Sequence, residues 1–209
     1  MLPRCVILDF DGTLADSFPW FVSVLNDVAR RWRFKTVGEA EHAALRQLKA
    51  TEIFRRLEVP GWKLPLIAAD MRRRMAQDID RIALFDGVGE QLERLHATGV
   101  CLGLVSSNSA ANIRRVLGPR LWGLIPHREC GVGVSAKHGR LTQLLRCAGF
   151  APEQAIYIGD EVRDIDAARR AGMAVGVVAW GYNDAALLRR HRPDLLFEQV
   201  HELSTRLLR

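Results

Sequence analysis

Cys5-Val6-Ile7-Leu8-Asp9-Phe10-Asp11-Gly12-Thr13-Leu14-Ala15-Asp16-Ser17 is the stretch on which the fold turns. Its first four residues are a short apolar run, which predicts a buried strand. Strand side chains alternate between faces, so carboxylates two apart can project to one side where the strand ends. Gly12 permits a sharp backbone turn, and Thr13 brings a hydroxyl close by. Two carboxylates on one face repel each other, and the repulsion asks for a cation or a shared proton. A strand end with a nucleophilic carboxylate, a second carboxyl and a metal suits phosphoryl transfer. Asp11-Gly12 also suits an ordinary turn with Asp9 capping it. The choice rests on what lies downstream.

Beyond this stretch the chain alternates strands and helices, except in one long region. From Ser17 to about Arg81 the pattern is helical throughout, with breaks near Thr36-Val37-Gly38, Ala50-Thr51 and Val59-Pro60-Gly61. It predicts helices over 17–33, 39–49, 51–58 and 63–81. After Phe85-Asp86-Gly87-Val88 the reading is helix 88–98, strand 100–106, helix 109–117 and a weaker strand around 124–130. Helix 138–148, strand 155–158, helix 162–171 and strand 174–179 follow. A helix near 184–190, a short Leu195-Leu196-Phe197 stretch and a terminal helix complete the order. Val-, Ile- and Leu-rich strands alternating with helices predict a parallel sheet covered on both faces, an α/β fold of Rossmann-like type. The C-terminal strand ends then share one edge, where ligands of open α/β sheets bind. The expected division is a core of residues 1–16 and 82–209 with an all-helical insert of 17–81.

Composition narrows the class. The chain has 209 residues, 48% apolar and 26% charged, as in an ordinary globular protein. It has neither an apolar run long enough to span a bilayer nor the regions of a signal peptide, so the expectation is a cytoplasmic protein with no membrane partner. The four cysteines are widely spaced with no CxxC pair, which argues against a disulfide framework or zinc site. The charge is +6, from 30 Lys+Arg against 24 Asp+Glu. The arginines are scattered over helical segments (Arg72-Arg73-Arg74, Arg114-Arg115, Arg169-Arg170, Arg189-Arg190) without interleaved aromatics. They read as solvated helix faces, and no nucleic-acid partner is expected.

Three more polar clusters fall at or just after strand ends. Ser106-Ser107-Asn108 suits helix capping, and it equally suits a phosphate held by hydroxyls and free N–H groups. Lys137 lies just before helix 138–148, where a cation opposes the dipole, although most lysines are simply solvated. Gly159-Asp160-Glu161-Val162-Arg163-Asp164 offers Asp160 and Asp164 four apart on a helix start. The two acids also suit plain N-terminal capping. Oxygen-only ligands suit Mg²⁺ rather than zinc.

Together these clusters resemble the four motifs of the haloacid dehalogenase superfamily of phosphotransferases, in order. They are Asp9-Phe10-Asp11-Gly12-Thr13, Ser106 after its apolar strand, Lys137, and Gly159-Asp160-Glu161-Val162-Arg163-Asp164. The layout is similar to phosphoglycolate phosphatase-like members, whose helical cap lies between the first and second motifs, and Asp16-Ser17 resembles the pair that leads into it. The resemblance implies that Asp9 attacks phosphorus to form an aspartyl-phosphate, and that Asp11 protonates the leaving alkoxide and then activates water. It implies Mg²⁺ held by an Asp9 carboxylate oxygen, the Asp11 backbone carbonyl and Asp160, with Asp164 orienting metal-bound water. Thr13, Ser106, Ser107, Asn108 and Lys137 would hold the phosphoryl oxygens. A small phosphorylated metabolite such as phosphoglycolate is the implied substrate. Arg46 and Lys49, which precede a helix break, are the cap residues expected to read its leaving group.

Other readings use the same fold. A dehalogenase shares the aspartate nucleophile but has no use for Asp11. A phosphonatase needs an inward cap lysine, for which Lys49 or Lys63 could be proposed without a supporting pattern. A sugar phosphomutase shares the core and cap. A non-enzymatic basic binding module would be expected to lack a motif carboxylate, whereas Asp9, Asp11 and Asp160 are all present. Monomer and homodimer both remain open.

Overall fold

In the computed structural model, which describes residues 2–133 and 136–208, six parallel strands form one sheet. They are β1 (Cys5–Leu8), β2 (Cys101–Val105), β3 (His127–Glu129), β4 (Ala155–Gly159), β5 (Ala174–Val178) and β6 (Leu195–Phe197). Their order is β3-β2-β1-β4-β5-β6. The chain therefore builds outward from β1 to one side, returns, and builds outward to the other. This reversal beside β1 is where open α/β sheets form a ligand crevice. Leu8 pairs with Leu104 of β2 and with Ile158 of β4, so the chain leaves all three strands at the same edge.

Strand alternation divides the core in two. Val6 and Leu8 join Leu102, Leu104, Ile156 and Ile158 on one face. Helices α5 (Val88–Ala97), α6 (Ala110–Leu124) and α10 (Glu202–Leu207) cover that face. Cys5 and Ile7 join Tyr157, Val175 and Val177 on the other, beneath α7 (Lys137–Ala148), α8 (Val162–Arg170) and α9 (Ala185–Arg190). The expected helix 109–117 runs on to Leu124, but it is kinked where expected to end. Gly118 leaves helical geometry at φ 70°, and Pro119 lacks an amide hydrogen and disfavours helix in the residue before it.

Between β1 and α5 lie only helices among the described residues: α1 (Phe18–Trp32), α2 (His42–Leu45), α3 (Ala50–Arg56) and α4 (Leu64–Gln77), with short 3₁₀ turns. The expected helix 39–49 is thus shorter, a 3₁₀ turn at Glu39–Glu41 followed by a single α-turn. Leu25, Val37, Leu45 and Leu57 give the insert a small core of its own. The Arg72-Arg73-Arg74 run is not wholly a solvated face. Asp70 is buried in α4 and accepts from Trp32 Nε1 at 3.0 Å and Arg73 at 2.5 Å, with Arg74 and Arg31 at 3.4 Å. Burial opposes that charge, yet the Trp32 and Arg73 bonds hold the Asp70 carboxyl below its ordinary pKa. Arg114, Arg115, Arg169, Arg170, Arg189 and Arg190 are exposed, as expected. The four cysteines are free thiols. No helix among the described residues is long and apolar enough to cross a membrane.

Candidate active site

Asp9 extends the pairing of β1 by one residue, its N–H donating to Ile158 O at 2.8 Å. One carboxylate oxygen accepts from the Phe10 N–H at 2.7 Å, and the other accepts from Lys137 Nζ at 2.6 Å. The same ammonium donates to Asp164 Oδ1 at 2.6 Å. Lys137 opens α7 and is 3% exposed, so this is a buried ion triad joining residues 9, 137 and 164. Burial works against the Lys137 charge, but the Asp164 and Asp9 carboxylates outweigh it and raise its pKa. Asp164 responds in the opposite sense. Burial is outweighed by Lys137 and Arg163, and its carboxyl lies below the ordinary value.

Asp160 follows β4. Its Oδ1 accepts from Thr13 Oγ1 at 3.0 Å and its Oδ2 from the Tyr182 N–H at 2.7 Å. The Asp160 and Glu161 N–H groups donate to Asp164 Oδ2 at 3.1 and 2.9 Å, so Asp164 caps α8 while gripping Lys137. Backbone packs very close to the Asp160 side chain. A Cβ at Gly12, whose φ is +74°, would lie 2.1 Å from Asp160 Oδ2, and one at Gly181 would lie 2.3 Å from Asp160 Cβ. Burial, with the nearby charges of Glu161, Asp164 and Asp9, pushes the Asp160 carboxyl well above its ordinary pKa.

Asp11 is partly buried, and its two oxygens face Asn108 Nδ2 at 3.1 and 3.3 Å. Burial and the Asp9 charge push its carboxyl up to about 7, against the lowering effect of Ser17 and Asn108. Asn108 also meets Met75 Sδ of α4 at 2.8 Å, tying the insert to this corner. Ser106 is fully buried, and its Oγ accepts from the Asn108 N–H at 3.2 Å. The cap of α6 is Ser109, one residue beyond the expected capping triplet. Ser107 is half-buried beside them.

The donor set fits a hard divalent cation. Asp9, Asp160 and Asp164 each offer a carboxylate oxygen, all within 4.8 Å of one another, and all three residues are buried. The Asp11 and Glu161 carboxyls lie nearby, and Lys137 and Arg163 bring positive charge beside them. Carboxylates pressed together in low dielectric, two with strongly raised pKa values, are relieved by a cation bound through oxygen. The Asp11 carboxylate stands outside this trio.

Of the expected residues, the fold brings Asp9, Asp11, Thr13, Ser106, Ser107, Asn108, Lys137, Asp160 and Asp164 to one sheet edge. The Thr13 hydroxyl is spent on Asp160. Arg46 reaches the core, donating to Gly181 O at 2.6 Å and Tyr182 O at 3.4 Å, with its guanidinium 5.2 Å from the Phe18 ring centroid. It is therefore a strap between insert and core. Lys49 caps α3 through its backbone, and its side chain makes no hydrogen bond among the described residues. Sequence reading missed the loop after β5. Tyr182 holds Asp160 through its N–H and meets Ser17 Oγ at 3.2 Å through its hydroxyl. Asn183 accepts from the Val162 N–H and donates to Arg46 O and Leu48 O. The turn-forming Gly-Tyr-Asn-Asp composition was the available signal, and it speaks of a loop rather than of its contacts.

Comparison with known proteins agrees with this architecture. Residues 6–178 match the profile of haloacid dehalogenase-like hydrolases. A phosphoglycolate phosphatase of Synechococcus elongatus is 34% identical over 201 residues, 96% of this chain and 95% of the relative. One from Xylella fastidiosa is 31% identical over 224 residues, 97% of this chain and 92% of the relative. A haloacid dehalogenase-like family hydrolase from Streptococcus pneumoniae superposes with a TM-score of 0.79 at 20% identity, covering 97% of each chain. At that identity the likeness speaks for the fold.

Proposed function

The chain belongs to the haloacid dehalogenase-like hydrolase family, and we propose that it is a Mg²⁺-dependent phosphatase of small phosphate monoesters acting through a phosphorylated Asp9. The observation that carries this reading is the buried ammonium of Lys137 held 2.6 Å from both Asp9 and Asp164 beside Asp160. Burying one lysine among acids is costly unless every charge is paired, so such a group points to chemistry on an anion.

In the proposed reaction Asp9 attacks phosphorus, and the P–O bond to the leaving alcohol breaks as the Asp9–phosphorus bond forms. Asp11 donates its proton to the departing alkoxide, and its raised pKa supports that role near neutral pH. It then takes a proton from the water that cleaves the aspartyl-phosphate. Lys137 and Ser106 hold phosphoryl oxygens, with Ser107 and Asn108 supporting them, while Thr13 braces Asp160. Asp9, Asp160 and the Asp11 carbonyl would hold Mg²⁺, with Asp164 behind them. The bound ion supplies charge neutralisation for the phosphoryl group. The helical insert, residues 17–81, would act as the cap over this edge. The relatives' names make phosphoglycolate the first compound to test.

Asp9→Asn tests the nucleophile. It should remove turnover, by about a thousandfold or more, because the amide cannot form the covalent intermediate. Circular dichroism should stay native. Appreciable hydrolysis by that variant would overturn the assignment. Release of free phosphate, rather than its retention on a product sugar, separates hydrolysis from a mutase.

A further inference from the structure

One turn of the insert, residues 46–48, is hydrogen-bonded to one loop of the core, residues 181–184. Arg46 gives its guanidinium to the Gly181 and Tyr182 carbonyls. In return Asn183 Nδ2 donates to Arg46 O at 3.3 Å and to Leu48 O at 3.1 Å, and the Asp184 N–H donates to Arg46 O at 3.0 Å. Arg46 and Leu48 lie just past α2, where carbonyls have run out of helical partners. Water can take those carbonyls if the insert moves away. The insert packs around its own core, so these bonds locate it on the sheet edge rather than build it.

The same carboxamide also acts on the core. Asn183 Oδ1 accepts from the Val162 N–H at 3.0 Å, and the Asn183 N–H donates to Asp160 O at 3.3 Å. Val162 is the first residue of α8, and the two N–H groups before it go to Asp164 Oδ2. Three successive amides of the acidic turn are thus shared between Asp164 and Asn183.

Asn183 is 3% exposed, and its partners fix the orientation of its side chain. Only Oδ1 can meet an N–H, and only Nδ2 can meet two carbonyls. Aspartate would keep the acceptor without the donors, and leucine would keep neither. Asp184 anchors the far side of the loop by capping α9, its side chain accepting from the Leu187 N–H. With the loop held there, a shift of residues 46–48 reaches Val162 through one carboxamide.

We propose that Asn183 is a positioning residue, which passes the seating of the helical insert to the turn that carries Asp160 and Asp164. The inference rests on the metal assignment made above and adds that ion binding and insert seating favour each other. Such coupling is reciprocal: if a seated insert tightens the ion, the ion must tighten the seat.

Trypsin reads the seat directly, because the Arg46–Gln47 bond it cuts contains the carbonyl that Asn183 and Asp184 hold. Cleavage there is followed by mass spectrometry on the full chain, relative to Arg94–Leu95 in α5, a bond of the core. Millimolar Mg²⁺ should slow the wild-type cleavage about fivefold or more on that relative scale. In Asn183→Leu the protection should vanish, and calorimetric titration should show Mg²⁺ bound about fivefold or more weakly. No atom of Asn183 is among the expected ligands, so a purely structural role would lower Tm and leave both readouts alone. Mg²⁺ that raises wild-type Tm without protecting Arg46–Gln47 overturns this inference and leaves the metal assignment standing. So does equal Mg²⁺ affinity in variant and wild type. Mg²⁺ that changes neither Tm nor cleavage removes both. The wild-type digestion decides the matter even if the variant fails to fold.

Discussion

Asp11 shows what the site costs at the scale of one residue. Its carboxyl is pushed up to about 7 by burial and by the Asp9 charge, from an ordinary value of 3.8. In the unfolded chain the same group ionises near 4. Between those limits the folded state binds more protons, so metal-free stability falls as pH rises through this window, and the deficit is complete above it. Replacing the carboxyl with an amide removes the deficit. Asp11→Asn should raise the stability of the metal-free protein at pH 8 by about 1–3 kcal/mol and leave it nearly unchanged at pH 4. The same variant should lose activity, since an amide cannot pass a proton to the leaving group. Urea unfolding in chelator at the two pH values measures the difference. Equal stability of variant and wild type at pH 8 would contradict the electrostatic account.

At the scale of elements, three strand ends and one loop make the site, and they were not equally legible. β1, β2 and β4 announced themselves as apolar runs, and Asp9, Ser106 and Asp160 follow them directly, so their shared edge could be read from order alone. Lys137 could not be read that way. A lysine at a helix start is ordinarily solvated, and only the fold pairs this one with acids from two distant segments. Arg46 and Asp70 were obscure for the same reason, because sequence does not orient a cap side chain. The Gly181-Tyr182-Asn183 loop was invisible because its work lies in close approach. Gly181 makes that concrete. An added Cβ would sit 2.3 Å from Asp160 Cβ and 2.5 Å from the Gly12 carbonyl oxygen. Gly181→Ala should therefore displace Asp160 and lower kcat/KM about a hundredfold, a size typical of small misplacements of catalytic groups. Its fold should persist, with a modest loss of Tm, since the strain is local. Kinetics and a melting curve check both parts; unchanged kcat/KM would show that Asp160 tolerates the shift.

For the whole molecule, the governing fact is that folding gathers acids from just beyond β1 and β4 and from α8 into a space the unfolded chain never forms. Asp9, Asp160 and Asp164 bring carboxylate oxygens within 4.8 Å of one another, while Lys137 and Arg163 supply nearby positive charge. A divalent cation that binds this arrangement binds the native state and not the unfolded one, and so shifts the unfolding equilibrium by mass action. At a hundred times its dissociation constant the gain is about 2.7 kcal/mol. For a chain of this size each kcal/mol moves Tm by about 2–4 °C. Millimolar Mg²⁺ should thus raise Tm by about 5–10 °C, and chelator should reverse it. Asp160→Asn should abolish most of the shift, because it removes both a ligand and part of the repulsion that the ion relieves. The measurement needs no substrate, so it separates ion binding from turnover. A wild-type Tm unmoved by Mg²⁺, with enzyme that still turns over in excess chelator, would mean that Lys137 and Arg163 balance these carboxylates without an ion and that the metal assignment is wrong.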